Sequence, residues 1–145
     1  MLDKEKIKEL IPQREPFLLI DEIEELVPGE RVVAVKYVRE DEYYFEGHFP
    51  GNPVMPGVLI LEAMAQAGAA GVLSVPENKG KNAFFGGIDD ARFRDMVVPG
   101  DKLRITVTLG QMKSRGGKGH GEVVKVLADG GEKKCASADV LFMLL

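Results

Sequence analysis

The sequence predicts an α+β domain in which an antiparallel sheet wraps one buried helix. Three observations point to it: a stretch from Val58 to Leu73 that is apolar on every face, several β-branched runs around it, and strict alternation in one of those runs. A helix that is hydrophobic all round has to be covered from several sides. The alternation of Leu103, Ile105, Val107 and Leu109 marks an antiparallel strand with one buried face, and a sheet of such strands supplies the cover.

Taken in order, Ile7, Leu10 and Ile11 fall at i, i+3 and i+4 among lysines and glutamates, which predicts a short amphipathic helix stopped by Pro12. Phe17 to Val27 and Arg31 to Val38 are rich in Val, Ile, Leu and Tyr and flank Pro28-Gly29-Glu30, so they read as a hairpin. Residues 47 to 57, GHFPGNPVMPG, carry three prolines and three glycines, which exclude regular structure and predict a stiff, shaped loop. After the helix, the runs Asn82 to Ile88, Ala91 to Val97, Lys102 to Met112, Gly121 to Ala128 and Lys133 to Leu144 read as strands, parted by turn clusters such as Val98-Pro99-Gly100-Asp101. No linker, repeat or low-complexity segment interrupts residues 1–145, so one domain is expected.

Composition narrows the function. With 45% hydrophobic and 29% charged residues the chain has an ordinary globular balance. A net charge of -4 is not the footprint of a nucleic-acid binder. The lone Cys135 can form neither an intramolecular disulfide nor a cysteine-based zinc site, and the start MLDKEKIKEL is charged rather than apolar, so a cytoplasmic protein is expected. The low-charge stretch from Val54 to Pro76 is bordered by prolines and leaves a helix of about 24 Å at ~1.5 Å per residue, short for a bilayer.

Glu62 is the only ionisable side chain between Val54 and Pro76, one turn into the buried helix. Desolvation there favours the neutral form, the state in which a carboxyl group can donate a proton near neutral pH. A glutamate close to a helix N-terminus is also stabilised by the dipole, so Glu62 taken alone leaves both readings open. His48 lies in the stiff loop, and imidazole suits proton abstraction near neutral pH. A histidine beside Phe49 is more often a packed or surface residue, and no second histidine stands at metal-ligand spacing. No metal or redox cofactor is therefore expected. The combination says more than either residue does. Between His48 and Glu62 the helix begins at Pro56-Gly57, where free N–H groups and the missing side chain of Gly57 leave room for a carbonyl oxygen, although a glycine at a helix start is common in any case. A base, an anion site and an acid in that order suit removal of a proton next to a thioester, which builds charge on the carbonyl oxygen.

GHFPGNPVMPGVLILEAMAQ, residues 47 to 66, closely resembles the signature of the 3-hydroxyacyl-acyl-carrier-protein dehydratases of bacterial fatty-acid synthesis. PFLLIDEI (residues 16 to 23) and FFGGIDDARFRDMVVPGD (residues 84 to 101) resemble further blocks of that family in the expected order. The resemblance implies the hot-dog fold, His48 and Glu62 as catalytic residues, and Gly57 as the donor to the thioester carbonyl. It also implies an acyl tunnel beside the helix, for which Phe84, Phe85, Ile88 and Met64 are candidates, although aromatic core packing explains them as well. A glutamate at position 62, where the isomerase branch usually has aspartate, favours the plain dehydratase. In the family the histidine and the acid of one site come from different subunits, which implies at least a homodimer, commonly a trimer of dimers.

The chain departs from the family at Gln13, where histidine is usual, at Asp95-Met96, where a basic residue and proline are frequent, and at Gly119, where a bulkier residue is expected. The resemblance also implies an acidic carrier protein as partner. Lys113, Arg115 and Lys118, within six positions of one another, are the candidate docking patch, or else a merely solvated turn. SRGGKGHG, residues 114 to 121, lacks the spacing of a phosphate loop. His120 in it reads as a surface residue and Cys135 as buried packing. Two other readings stay open: a thioesterase using its acid to activate water against the same carbonyl, and a non-catalytic acyl-binding protein, which would not need both His48 and Glu62.

Overall fold

The computed structural model describes residues 1–145. Helix α1 (Lys4–Leu10) is capped by Asp3, whose carboxylate accepts from Lys6 N–H at 3.0 Å, and its inner face buries Ile7. Strands β1 (Glu22–Val27) and β2 (Arg31–Tyr37) form the expected hairpin. A 3₁₀ turn (Tyr43–Glu46) leads into the proline-rich loop, and helix α2 (Gly57–Leu73) follows it. Strands β3 (Ala83–Phe93), β4 (Lys102–Lys113), β5 (Gly116–Val126) and β6 (Glu132–Leu144) complete a six-stranded antiparallel sheet in the order β1-β2-β4-β5-β6-β3.

The sheet folds around α2, which buries 12 of its 17 residues, as an all-apolar helix must. Small residues make close approach possible. A side chain at Gly68 would collide with the Phe142 ring of β6, and one at Gly121 of β5 with the Met64 thioether. On β4 the inward side chains are Leu103, Ile105, Val107 and Leu109, in the register the alternation predicts.

Several boundaries differ from the sequence reading, each for a physical reason. Residues 17 to 21 lie outside β1, because the backbone at Phe17 and Leu19 bonds to a glutamine side chain of α2 instead of to a neighbouring strand. The predicted strands Asn82 to Ile88 and Ala91 to Val97 are one strand, β3, whose pairing with β6 shifts register between Phe85 and Gly87 and between Asp89 and Arg92. Residues 94 to 97 fall beyond its end. β5 begins at Gly116 rather than Gly121, so the glycine run that reads as a turn is a strand. Its missing side chains leave room for Met112, Leu109 and Phe142 from the neighbouring strands. No helix is long and apolar enough to cross a membrane.

Candidate active site

The loop that presents His48 is held at both ends. Lys36 of β2 and Glu42 form a buried ion pair, Nζ to Oε1 2.7 Å, which ties the start of the 3₁₀ turn to the sheet. Removing one partner of such a pair would strand the other charge, at a cost of about 3–5 kcal/mol. Within the loop, His48 N–H donates to Tyr44 O at 3.1 Å, Val54 N–H donates to His48 O at 2.9 Å, and Met55 N–H donates to Val97 O at 2.8 Å. These bonds, added to the restricted torsions of Pro50, Pro53 and Pro56, account for a rigid mount.

The His48 ring is half-buried and stacks on Phe49 with centroids 4.0 Å apart. Its Nδ1 lies 2.8 Å from the carbonyl oxygen of Val54. A carbonyl only accepts, so Nδ1 carries the hydrogen, and in the neutral ring Nε2 keeps its lone pair. His48 is thus held in the tautomer that can take a proton at Nε2.

Glu62 sits in the second turn of α2, half-buried, and burial pushes its carboxyl above the usual carboxylate range, against a weaker opposing effect from Gln66. Gln66, one turn further along the same helix face, is itself fully buried. Its Oε1 accepts from Leu19 N–H at 2.8 Å, while its Nε2 donates to Phe17 O at 2.8 Å and to Glu62 Oε2 at 3.0 Å. Because those partners fix which end of the amide is the donor, Glu62 Oε2 must be an acceptor. The proton of the neutral carboxyl therefore belongs on Oε1. Sequence reasoning passed over Gln66, although a polar residue four positions after Glu62 on an apolar helix was a usable signal.

Glu62 opens onto a cavity of about 460 Å³, within the range of small-molecule sites, walled mainly by Phe17, Ala65, Phe84, Phe85 and Phe142. Phe84 and Phe85 thus stand in the same cavity as Glu62. Met64 does not: it is fully buried beneath Gly121, as core packing. Ile88 is also absent from that wall and lies 41% exposed on the edge strand β3. The register shift after Phe85 separates it from the two phenylalanines. Gln13, where the family usually has histidine, also lines this cavity. His48 is not part of its wall.

Gly57 opens α2, where N–H groups lack intrahelical partners. The space beside its Cα is taken by the Phe93 ring, which a side chain at this position would meet at 2.9 Å. The glycine therefore makes room for Phe93 within this chain, rather than leaving that space open as the sequence reading supposed. Lys113, Arg115 and Lys118 are exposed and share a second cavity of about 550 Å³ with Leu141, Phe142 and Met143. His120 is exposed and pairs across the strands with Asp139 at 2.7 Å. Cys135 is fully buried and burial raises its thiol, as expected of packing.

Residues 11–133 match the model of the FabA-like domain. The chain is 54% identical over 144 residues to the 3-hydroxyacyl-acyl-carrier-protein dehydratase FabZ of Ligilactobacillus salivarius, covering 99% of each chain. It is likewise 54% identical over 139 residues to the protein of that name from Enterococcus faecalis, covering 96% of this chain and 95% of the relative. Among solved structures, the dehydratase heterocomplex ApeI:P from Xenorhabdus doucetiae shares the fold at a TM-score of 0.79 and 17% identity, over 96% of this chain and 90% of that one. The match spans the shaped loop, α2 and most of the sheet, and so the chain belongs to the FabA-like family as a hot-dog-fold member of the 3-hydroxyacyl-acyl-carrier-protein dehydratases.

Proposed function

We infer that the chain removes water from (3R)-3-hydroxyacyl thioesters carried by acyl carrier protein, yielding trans-2-enoyl thioesters in fatty-acid elongation, a hydro-lyase activity. The observation that carries this reading is Glu62: a carboxyl that burial pushes above the usual carboxylate range, oriented by Gln66 and facing an apolar cavity, in a chain about half identical to named dehydratases. In the proposed reaction His48 Nε2 takes the proton from C2, and the electron pair of that C–H bond forms the C2–C3 double bond as the C3–O bond breaks. Glu62 Oε1 gives its proton to the departing hydroxyl, which leaves as water. The imidazolium and carboxylate then return to their starting states by proton exchange. Charge gathering on the thioester oxygen would be met by the free N–H at Gly57. Elimination leaves the oxidation level of substrate unchanged, so the chemistry calls for no redox group.

A dimer is part of the proposal. The cavity that holds Glu62 lacks His48, and the outer edge of β3 is unpaired. That strand exposes Phe84, Phe85, Ile88 and Phe93, a combination that favours pairing with another copy, assembled further as a trimer of dimers. The enzyme would act in the cytoplasm. The test of function is a spectrophotometric assay with a 3-hydroxyacyl thioester and its 2-enoyl counterpart. Interconversion in both directions without thiol release is expected. Thiol release would select a thioesterase, and no reaction at all an acyl-binding protein.

For the carrier, Lys113, Arg115 and Lys118 are proposed as the docking patch, since the three cluster on one exposed cavity of a chain with net charge -4. Exposed charges act mainly on encounter and are screened over ~8 Å at physiological salt. Reversing all three is expected to raise KM for carrier-bound substrate and flatten its salt dependence, with little effect on a coenzyme A thioester. Equal responses from both substrates would remove the patch from consideration.

A further inference from the structure

Lys125 of β5 holds both ends of the segment that joins β3 to β4. Its Nζ lies 3.2 Å from Asp95 Oδ2 and 3.3 Å from Asp101 Oδ2, and Lys133 Nζ reaches the same Asp95 oxygen at 3.2 Å. The Lys125 side chain is 15% exposed and the two aspartates 22%, so these pairs are partly shielded from screening by solvent and salt. The two ammonium groups hold the Asp95 carboxyl below the usual carboxylate range. Each end is stiffened further, as Asp95 Oδ1 accepts from Met96 N–H at 2.9 Å and Asp101 Oδ2 from Val98 N–H at 2.8 Å. Between the two ends lies Val97, fully buried, whose carbonyl accepts from Met55 N–H at 2.8 Å. Met55 stands two residues before Gly57, and Phe93, whose ring fills the space beside Gly57, stands two residues before Asp95. The first turn of α2 depends on such flanking contacts, because Pro56 at its N-cap gives no side-chain hydrogen bond. A basic residue at position 95, frequent in the family, would meet two lysines here instead of pairing with them.

We propose that Lys125 is a positioning residue for the dehydration, acting with Asp95 through Val97 and Met55 on the Gly57 N–H. The proposal rests on the reading above, in which that N–H meets the charge gathering on the thioester oxygen, and adds what holds the donor in place. Such a donor works only when it sits about 2.7–3.1 Å from the position the oxyanion will occupy. Without the clamp the Val97 carbonyl is free to shift, and Met55 and the uncapped start of α2 shift with it. The loss is greater in the transition state, where the oxygen carries more charge, than in the bound substrate. Turnover should therefore fall while KM stays nearly constant.

The experiment uses three variants. Lys125→Met removes the ammonium and keeps the length, Asp95→Asn removes both of its ion pairs but retains an acceptor for Met96 N–H, and Lys125→Arg keeps the charge. For each, kcat and KM with 3-hydroxybutyryl-coenzyme A are measured beside the melting temperature, and the carbonyl stretch of bound butyryl-coenzyme A, labelled with ¹³C at the carbonyl, is read by infrared difference spectroscopy. Butyryl has no hydroxyl to lose, so it reports on the donor without reacting. In the natural chain the bound carbonyl should absorb below the free thioester. Lys125→Met and Asp95→Asn should move it back toward the free value and lower kcat at least about fivefold with KM changed less than about twofold, whereas Lys125→Arg keeps the natural values; the loss stays below the ~10² to 10³ of deleting an oxyanion donor because the donor is displaced, not removed. Variants that melt lower but keep the natural band and kcat would show a purely structural clamp and overturn the proposal. Should Lys125→Met fail to fold, Asp95→Asn decides by the same two readings. A natural chain that dehydrates its substrate but leaves the bound carbonyl unshifted overturns the Gly57 donor and the proposal together, whereas one that dehydrates nothing overturns the proposed function itself and this inference with it.

Discussion

Replacing His48 by alanine should lower turnover at least ~10²-fold, since general-base catalysis typically contributes ~10² to 10⁴. The fold should survive the change. The ring is half-buried, its one hydrogen bond runs to the Val54 carbonyl within the same loop, and the Val54 N–H to His48 O bond that closes the loop belongs to the backbone. Turnover and the thermal transition measured on one preparation make the test. A folded variant with near-normal dehydration would remove His48 from the mechanism.

Glu62→Gln should abolish dehydration without loss of thermal stability. The amide keeps size and can still accept the Gln66 Nε2–H bond, yet has no acidic proton to give. The stability side has a sign that can be worked out. Burial raises the folded-state pKa of Glu62 above 4.5, so between that value and the raised one the folded chain binds more protons than the unfolded chain. Stability therefore falls as pH rises through this window, and the ionised carboxylate is a cost above it. Glu62→Gln carries no such cost. The variant should melt at or above the temperature of the natural chain at neutral pH, with the difference closing below about pH 4, where an exposed glutamate is also protonated. Melting curves across pH test this. A destabilised variant at neutral pH would mean that the carboxylate is an ionised, structural partner. Activity of the natural chain should likewise decline as pH rises through the raised Glu62 value, because the acid must hold its proton. If the site is shared between subunits, mixing inactive His48→Ala and Glu62→Gln chains should restore activity in verified mixed dimers, and no recovery would count against a shared site.

What the sequence by itself determined is the α+β class and the buried central helix, and it singled out His48 and Glu62 as the proposed acid/base pair. Each of these follows from local pattern. An apolar run with a single carboxyl, a loop stiffened by three prolines around one histidine, and strict alternation in β4 can be read without knowing what lies across the fold. Only the tertiary structure decided how those groups are held and which of their neighbours matter. That the Val54 carbonyl selects the His48 tautomer, and that Gln66 assigns the proton of Glu62 to Oε1, depends on atoms brought together by folding. The same holds for Gln13, distant in sequence from Glu62 yet in the same cavity, and for Met64, which has a plausible tunnel composition but packs under Gly121. The glycine run at residues 116 to 121 misled for a related reason. A glycine without context reads as a turn, whereas here the spaces beside Gly117, Gly119 and Gly121 are filled by larger side chains from α2 or a neighbouring strand, and that complementarity exists only in three dimensions.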